Sequence, residues 1–352
     1  MTKKILCNRE IHDFLKKFEA EKDVVVMKGS GKVFSSGGDV IQISSSPYQK
    51  VLHGYRYSAK TVELLSNYKI PFIVFIDGLA MGGAATYCTP GKYRVVTERT
   101  SFAMPETSIG LINDASSNFF LSRLPRNFGT FMGMTGYRVK GYDMLKVGLG
   151  SHFIENSKLD DLETELIECR SHKDVTKVLD CFASAPQTME SELDTNLPLI
   201  EKCFSALTVE GIFENLREDG SEWATKTLKT LNRMSPTSLK VTHRNINLGR
   251  NLSLRECLKM EIRIVHNLLT SSSDFKEGIR AAIEKDNNRN WQPKTINEVS
   301  DEHVESFLKL APVEYETCLE HEPCSRTAKI HHSSGLSSHT ELSDWFRNFL
   351  RY

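Results

Sequence analysis

Apolar positions follow two different periods along the chain. Residues 23–29, DVVVMKG, and 71–77, PFIVFID, are short unbroken apolar runs rich in branched side chains, the pattern of strands covered on both faces. YRVVT (93–97) is a third run of this kind. Between the first two, Val51, Leu52, Tyr55, Ala59, Val62 and Leu65 recur at helical spacing and predict a helix over 48–68. Ile11, Phe14, Leu15 and Phe18 predict an earlier helix, with Asn8 placed to cap it. GLAMGGAATYC (78–88) predicts a turn running into a short helix. Strand, helix, strand and helix over this length predict an α/β fold with a parallel sheet layer.

From about residue 129 the period is helical. Segments 158–168, 190–205, 208–217, 221–233, 236–247, 253–270 and 274–285 are predicted helices. After Asn287 the chain turns polar, a short helix is predicted over 301–310, and the sparse apolar content of 311–352 predicts disorder. There is no internal repeat. The pattern divides the chain into a core over 1–150, a helical region over 151–290, and a linker, short helix and tail over 291–352.

Composition removes several function classes. Forty-five basic residues balance 45 acidic ones, so no overall positive field exists to hold nucleic acid or an anionic membrane. No apolar run approaches the ~18 residues of a membrane span, and Asp77 interrupts the best candidate. Eight cysteines without CxxC spacing read as reduced thiols of an intracellular protein. Cys318 and Cys324, near His321, His331 and His332, have no zinc-type spacing, so no metal is expected there. The N-terminal residues form no signal-peptide apolar core and are too acidic for a transit peptide.

Candidate chemistry gathers in SFAMPETSIGLINDASSNFFLS (101–122). Its only charged side chains are Glu106 and Asp114, eight positions apart. They are either solvated loop residues or a working carboxylate pair. Two glycine loops, FSSGGD (34–39) and LAMGGAA (79–85), each follow a predicted strand. Neither binds phosphate by a known pattern: GSGKVF lacks the third glycine of GxGxxG, and the P-loop spacing fails. The glycines either make turns or bring backbone N–H groups to a common point as an oxyanion hole. Gly83 lies at a predicted helix start, where the dipole favours negative charge. A strand ending at SFAMPE, placed beside the second strand, would bring Glu106 to the same sheet edge. No G-x-S-x-G elbow is present, so hydrolysis would need carboxylates rather than a serine triad. The histidines suggest no site role, and His152, just before a predicted strand, reads as a packing residue.

GKVFSSGGDV (31–40), PFIVFIDGLAMGGAA (71–85) and FAMPETSIGLIND (102–114), in that order, resemble the crotonase (enoyl-CoA hydratase/isomerase) superfamily. With GYRVKGYDML (136–145), MSPTSLKVTHR (234–244) and DFKEGIRAAIEKD (274–286), the resemblance narrows to its 3-hydroxyisobutyryl-CoA hydrolase branch. It covers about residues 20 to 295. It implies a spiral of β-β-α turns with a helical C-terminal part, assembled as a homo-oligomer. It also implies hydrolysis of a branched 3-hydroxyacyl-CoA in mitochondrial valine breakdown. No metal or redox cofactor is implied, CoA being part of the substrate.

The resemblance also assigns roles to residues. Gly38 and Gly83 match the oxyanion-hole positions, Glu106 the catalytic glutamate, and Asp114 the aspartate that marks the hydrolases. Glu106 would attack the carbonyl directly or activate water, while Asp114 would orient water or the substrate hydroxyl. Thr86 stands where hydratases carry a second glutamate, which argues against hydration. Ser58 stands at a substrate-binding position where a glutamate is expected, and NDASSN (113–118) replaces PDVGGG. Ser116 and Ser117 thus add bulk that would push Asp114 out of line. The family's first strands have no counterpart, so the N-terminal strands are expected to be missing. These departures leave a catalytically impaired acyl-CoA-binding paralogue as the alternative, with an enoyl-CoA hydratase or isomerase behind it.

Overall fold

The computed structural model describes residues 3–184, 191–286 and 288–309. The Cys318 and Cys324 cluster and the predicted tail lie outside these residues. Eight strands are formed: β1 (Val25–Lys28), β2 (Val33–Ser35), β3 (Phe72–Ile76), β4 (Leu79–Met81), β5 (Tyr93–Val96), β6 (Ser101–Ala103), β7 (Val139–Lys140) and β8 (His152–Phe153). They build two sheets, ordered β1-β3-β5-β8 and β2-β4-β6-β7. The first is parallel throughout, with Val25 opposite Phe72 and Ile73 opposite Tyr93. In the second only β7 runs antiparallel.

The chain adds one strand to each sheet per turn and returns through a helix, which is the spiral of β-β-α turns. All five residues of β3 are buried, which explains its lack of alternation. The bend from β3 to β4 is made by Gly78 at φ +86°, where a Cβ would lie 2.3 Å from the Lys32 carbonyl oxygen. A larger residue there would push apart the neighbouring strands β2 and β4, which pair from this point on.

The helix over Tyr48–Ser66 buries Val51, Leu52, Ala59, Val62 and Leu65, as its spacing requires. The predicted C-terminal helices form at Leu159–Ile167, Glu192–Cys203, Val209–Asp219, Glu222–Leu231, Pro236–Gly249, Leu254–Ser271, Asp274–Glu284 and Asp301–Leu308. Asn8 is not a cap: the first helix spans Lys3–Glu21, and the Asn8 amide donates to the Gly54 carbonyl at 3.3 Å. His152 belongs to β8 itself, with its ring 3.4 Å from Asp180. One hydrophobic cluster runs from Ile11 through the sheets to Ile246, so the sheet layers and the helical region share a core. Among the described residues, no helix is long and apolar enough to cross a membrane, and no cluster of three or more His, Cys, Asp or Glu could hold a metal ion.

Candidate active site

β2, β4 and β6 are neighbours in the second sheet, so the segments leaving them emerge at one edge. There they enclose a cavity of about 270 Å³ whose lining includes Gly38, Ser58, Gly83, Glu106 and Asp114 together. Tyr55 and Gly82 join them.

The two glycine loops touch. Gly83 sits in the 3₁₀ turn Gly82–Ala84, which runs into the short helix Ala85–Cys88, so its N–H lies in a first turn without an intrahelical acceptor. Gly38 leads into Asp39, whose carboxylate caps the helix Val40–Ser45 by accepting from the Gln42 N–H at 3.1 Å. A Cβ on Gly83 would lie 3.4 Å from the Gly38 nitrogen, and one on Gly37 would lie 3.1 Å from the Gly83 nitrogen and 2.5 Å from the Met81 oxygen. Gly37 is therefore the residue that lets the loops approach.

Glu106 follows β6 and opens the 3₁₀ turn Glu106–Ile109. It is 8% exposed. The Asn113 side-chain amide donates to its Oε2 at 2.8 Å and to the Met104 carbonyl at 3.2 Å. On its other side stands Gly82, at φ +53°, where a Cβ would meet Glu106 Oε1 at 2.6 Å. Burial raises the Glu106 carboxyl above the usual range, and the charge of Asp114 raises it further, while the Asn113 hydrogen bond pulls it back. Burial raises Asp114 as well. Two carboxylates that share one cavity, Glu106 buried and Asp114 half-buried, resist double ionisation, which suits one of them to hold a proton near neutrality.

Asp114 precedes two residues in the left-handed region, Ala115 at φ +58° and Ser116 at φ +66°. Glycine adopts that conformation at low cost, which explains its use at such positions. In this chain a third carboxylate, this one buried, holds the loop. Glu261, on the helix Leu254–Ser271, accepts from the N–H of Ser116 at 2.8 Å, the N–H of Asn118 at 2.9 Å and the Ser117 hydroxyl at 3.1 Å. The Asn118 amide donates to Asn245 at 3.0 Å. Ser116 and Ser117 are buried outside the cavity lining, and their hydroxyls donate to the carbonyls of Ala115 and Asn113, the residues on either side of Asp114. Burial is the main cause that lifts Glu261 to about 8.

Ser58 lines the cavity, but its hydroxyl is engaged. It lies 2.6 Å from the hydroxyl of Thr86, so two positions that depart from the family pattern meet each other. Gly82, Asn113, Glu261 and Tyr55 are the site residues that motif reading missed.

Residues 5–308 match the enoyl-CoA hydratase/isomerase family. The chain is 39% identical to the mitochondrial 3-hydroxyisobutyryl-CoA hydrolase of Xenopus tropicalis, over 82% of this chain and 78% of that protein. It is 38% identical to the protein of the same name from Mus musculus, over 86% and 81%. Among solved structures, a carnitinyl-CoA dehydratase from Mycobacterium thermoresistibile superposes with a TM-score of 0.80 at 27% identity, over 87% of this chain and 89% of that one. An enoyl-CoA hydratase from Rhodobacter sphaeroides gives 0.78 at 26% identity, over 89% and 91%. With the β-β-α spiral, the paired glycine loops and the buried glutamate after β6 all in place, the chain belongs to the enoyl-CoA hydratase/isomerase family.

Proposed function

We propose that this chain hydrolyses the thioester of 3-hydroxyisobutyryl-CoA, releasing 3-hydroxyisobutyrate and CoA. One juxtaposition carries the reading: two carboxylates, the buried Glu106 and the half-buried Asp114, share a cavity with Gly38 and Gly83. The names of its relatives supply the substrate. The thioester oxygen lies between the N–H groups of Gly38 and Gly83, each such donor contributing ~3 kcal/mol at the transition state. Glu106 acts at the carbonyl carbon. In one route its carboxylate attacks, the C–S bond breaks, CoA leaves as the thiolate, and the water that opens the resulting anhydride supplies the proton that makes it the thiol. In the other, Glu106 takes a proton from the water that attacks. Hydroxylamine, which intercepts an acyl-glutamyl anhydride, separates the two routes. Asp114 orients the water or the substrate hydroxyl, and the pantetheine arm runs along residues 32–38.

Thr86 is paired with Ser58 and supplies no carboxylate, which favours hydrolysis over hydration. The reaction so written uses water and side chains, with no metal or redox cofactor. The relatives named mitochondrial support placing this chain in the mitochondrion, in valine breakdown, and the family resemblance supports a homo-oligomer. The test is release of free CoA from 3-hydroxyisobutyryl-CoA, measured beside hydration of an enoyl-CoA. Thiol release without hydration is the expected result. Hydration without thiol release overturns the hydrolase reading, and binding of the ester without either reaction assigns a non-catalytic acyl-CoA-binding role.

A further inference from the structure

The cavity wall holds one more polar group whose position calls for a ligand. Tyr55 lies one helical turn before Ser58 on the helix Tyr48–Ser66, so the two side chains share a face. Its ring packs against the cluster of Ile112, Ile264 and Val265, and its side chain lines the cavity with Glu106 and Asp114. Other hydroxyls of the lining are committed. Ser58 is paired with Thr86, Ser35 accepts from the Gly37 N–H at 3.2 Å, and Tyr87 donates to Asn8 at 3.4 Å. Ser36 is exposed. Tyr55 is half-buried, and among the described residues its hydroxyl forms no hydrogen bond to protein, so it stays available at the cavity wall. Burial, with the charges of Asp114 and Glu106 adding to it, raises its phenol well above the usual value, so it stays a donor at any working pH. The lining also includes the apolar side chains of Val51, Ile109 and Leu111.

We infer that Tyr55 is the specificity residue for the acyl hydroxyl: its O–H donates to the 3-hydroxyl oxygen of the substrate, whose own proton is accepted by Asp114. The arrangement gives that hydroxyl a donor and an acceptor, and leaves the donor without a partner when the acyl chain lacks the hydroxyl. A site that hydrogen-bonds a substrate hydroxyl discriminates strongly against the analogue without it. This assignment rests on the thioesterase reading of the same cavity.

The experiment compares wild type and Tyr55→Phe on 3-hydroxyisobutyryl-CoA and on isobutyryl-CoA, following free thiol. The variant removes an oxygen without a protein partner, so the thermal midpoint should stay within a few degrees. The expected result is a fall of about ten-fold or more in kcat/KM for the hydroxylated ester, with isobutyryl-CoA changed less than about two-fold. Equal falls on both esters, or no fall on either, overturn the Tyr55 assignment while the thioesterase reading stands. A wild type that cleaves neither ester overturns both.

Discussion

The hydroxyls of Ser58 and Thr86 lie 2.6 Å apart; both residues are buried, Ser58 in the wall of the cavity and Thr86 behind it. The family resemblance implies carboxylates at these two places. Two carboxylates that close could not both ionise, whereas two hydroxyls satisfy each other without charge. Thr86 also belongs to the short helix that follows the Gly83 turn, so the pair ties that turn to the helix Tyr48–Ser66. Their exchange for hydroxyls leaves Glu106 and Asp114 as the acidic side chains able to work at the reacting centre.

Thr86→Val should therefore leave the Ser58 hydroxyl buried and unpaired, at a cost of about 1–3 kcal/mol. Adding Ser58→Ala removes both partners and should return part of that loss. Urea unfolding of the single and double variants measures the coupling. Independent, additive costs would show that the pair contributes no mutual stabilisation.

Asn113 favours the ionised form of Glu106 by donating to Oε2 at 2.8 Å. Asn113→Ala removes that donor, so the Glu106 carboxyl should rise further. If the ionised carboxylate is the active form, the acid limb of kcat/KM moves to higher pH. The rate at pH 7 then falls about ten-fold, while the rate above pH 9 stays within a few-fold of wild type. A pH profile with an unmoved acid limb would sink this role for Asn113.

Much of this architecture was legible because strong local signals coincided with it. β1, β3 and β5 are apolar runs, and the helix Tyr48–Ser66 has a regular buried stripe. Glu106 and Asp114 stood out as lone charges in an apolar stretch. β2 and β4 were hidden, since three residues beside a glycine loop give no period, whereas β6 was expected in SFAMPE. The helix Phe128–Thr135 buries all eight residues, so it shows no amphipathic face. Glu261 belongs to no motif. Its spacing held the clue: it falls on the buried face with Cys257, Leu258, Ile264 and Val265. Tyr55, between Leu52 and Ala59, looked like a core aromatic, and only the cavity shows where its hydroxyl is of use.

Gly82 and Gly83 should fail in different ways when changed to alanine. At Gly82 the positive φ and a Cβ 2.6 Å from Glu106 Oε1 mean that alanine displaces the carboxylate. A displacement of ~1 Å can cost about 10²-fold in rate. At Gly83 the nearest contact is an ordinary 3.4 Å, so the fold should tolerate the methyl. That methyl points at the Gly38 nitrogen, across the gap assigned to the thioester oxygen. Gly83→Ala should keep its thermal midpoint within a few degrees and lose about 10²-fold in kcat. If Gly83→Ala loses stability in step with activity, the glycine is a turn residue and the oxyanion assignment falls.

Glu261 makes the loop that carries Asp114 sensitive to pH. Its carboxylate accepts from the N–H groups of Ser116 and Asn118, so Glu261→Ala strands two buried donors. The cost should be about 2–6 kcal/mol in urea unfolding, at about 1–3 kcal/mol for each donor. The pH dependence has a definite sign. The folded carboxyl titrates at about 8, against an ordinary value of 4.5, so the folded state holds a proton that the unfolded state has released. Stability from this group is complete below the ordinary value and declines as pH rises toward 8. Glu106 and Asp114 act in the same direction. His53, His152, His243 and His266 are all lowered from 6.5 and act in the opposite direction, but their contribution is complete by about pH 7. Wild-type unfolding free energy should therefore fall between pH 7 and pH 8, by up to about 1.4 kcal/mol per proton. Glu261→Ala removes one of these protons, so it should be less stable than wild type at both pH values and lose less between them. Equal slopes for the two proteins would mean that Glu261 stays ionised in the folded state, and that the three donors around it outweigh its burial.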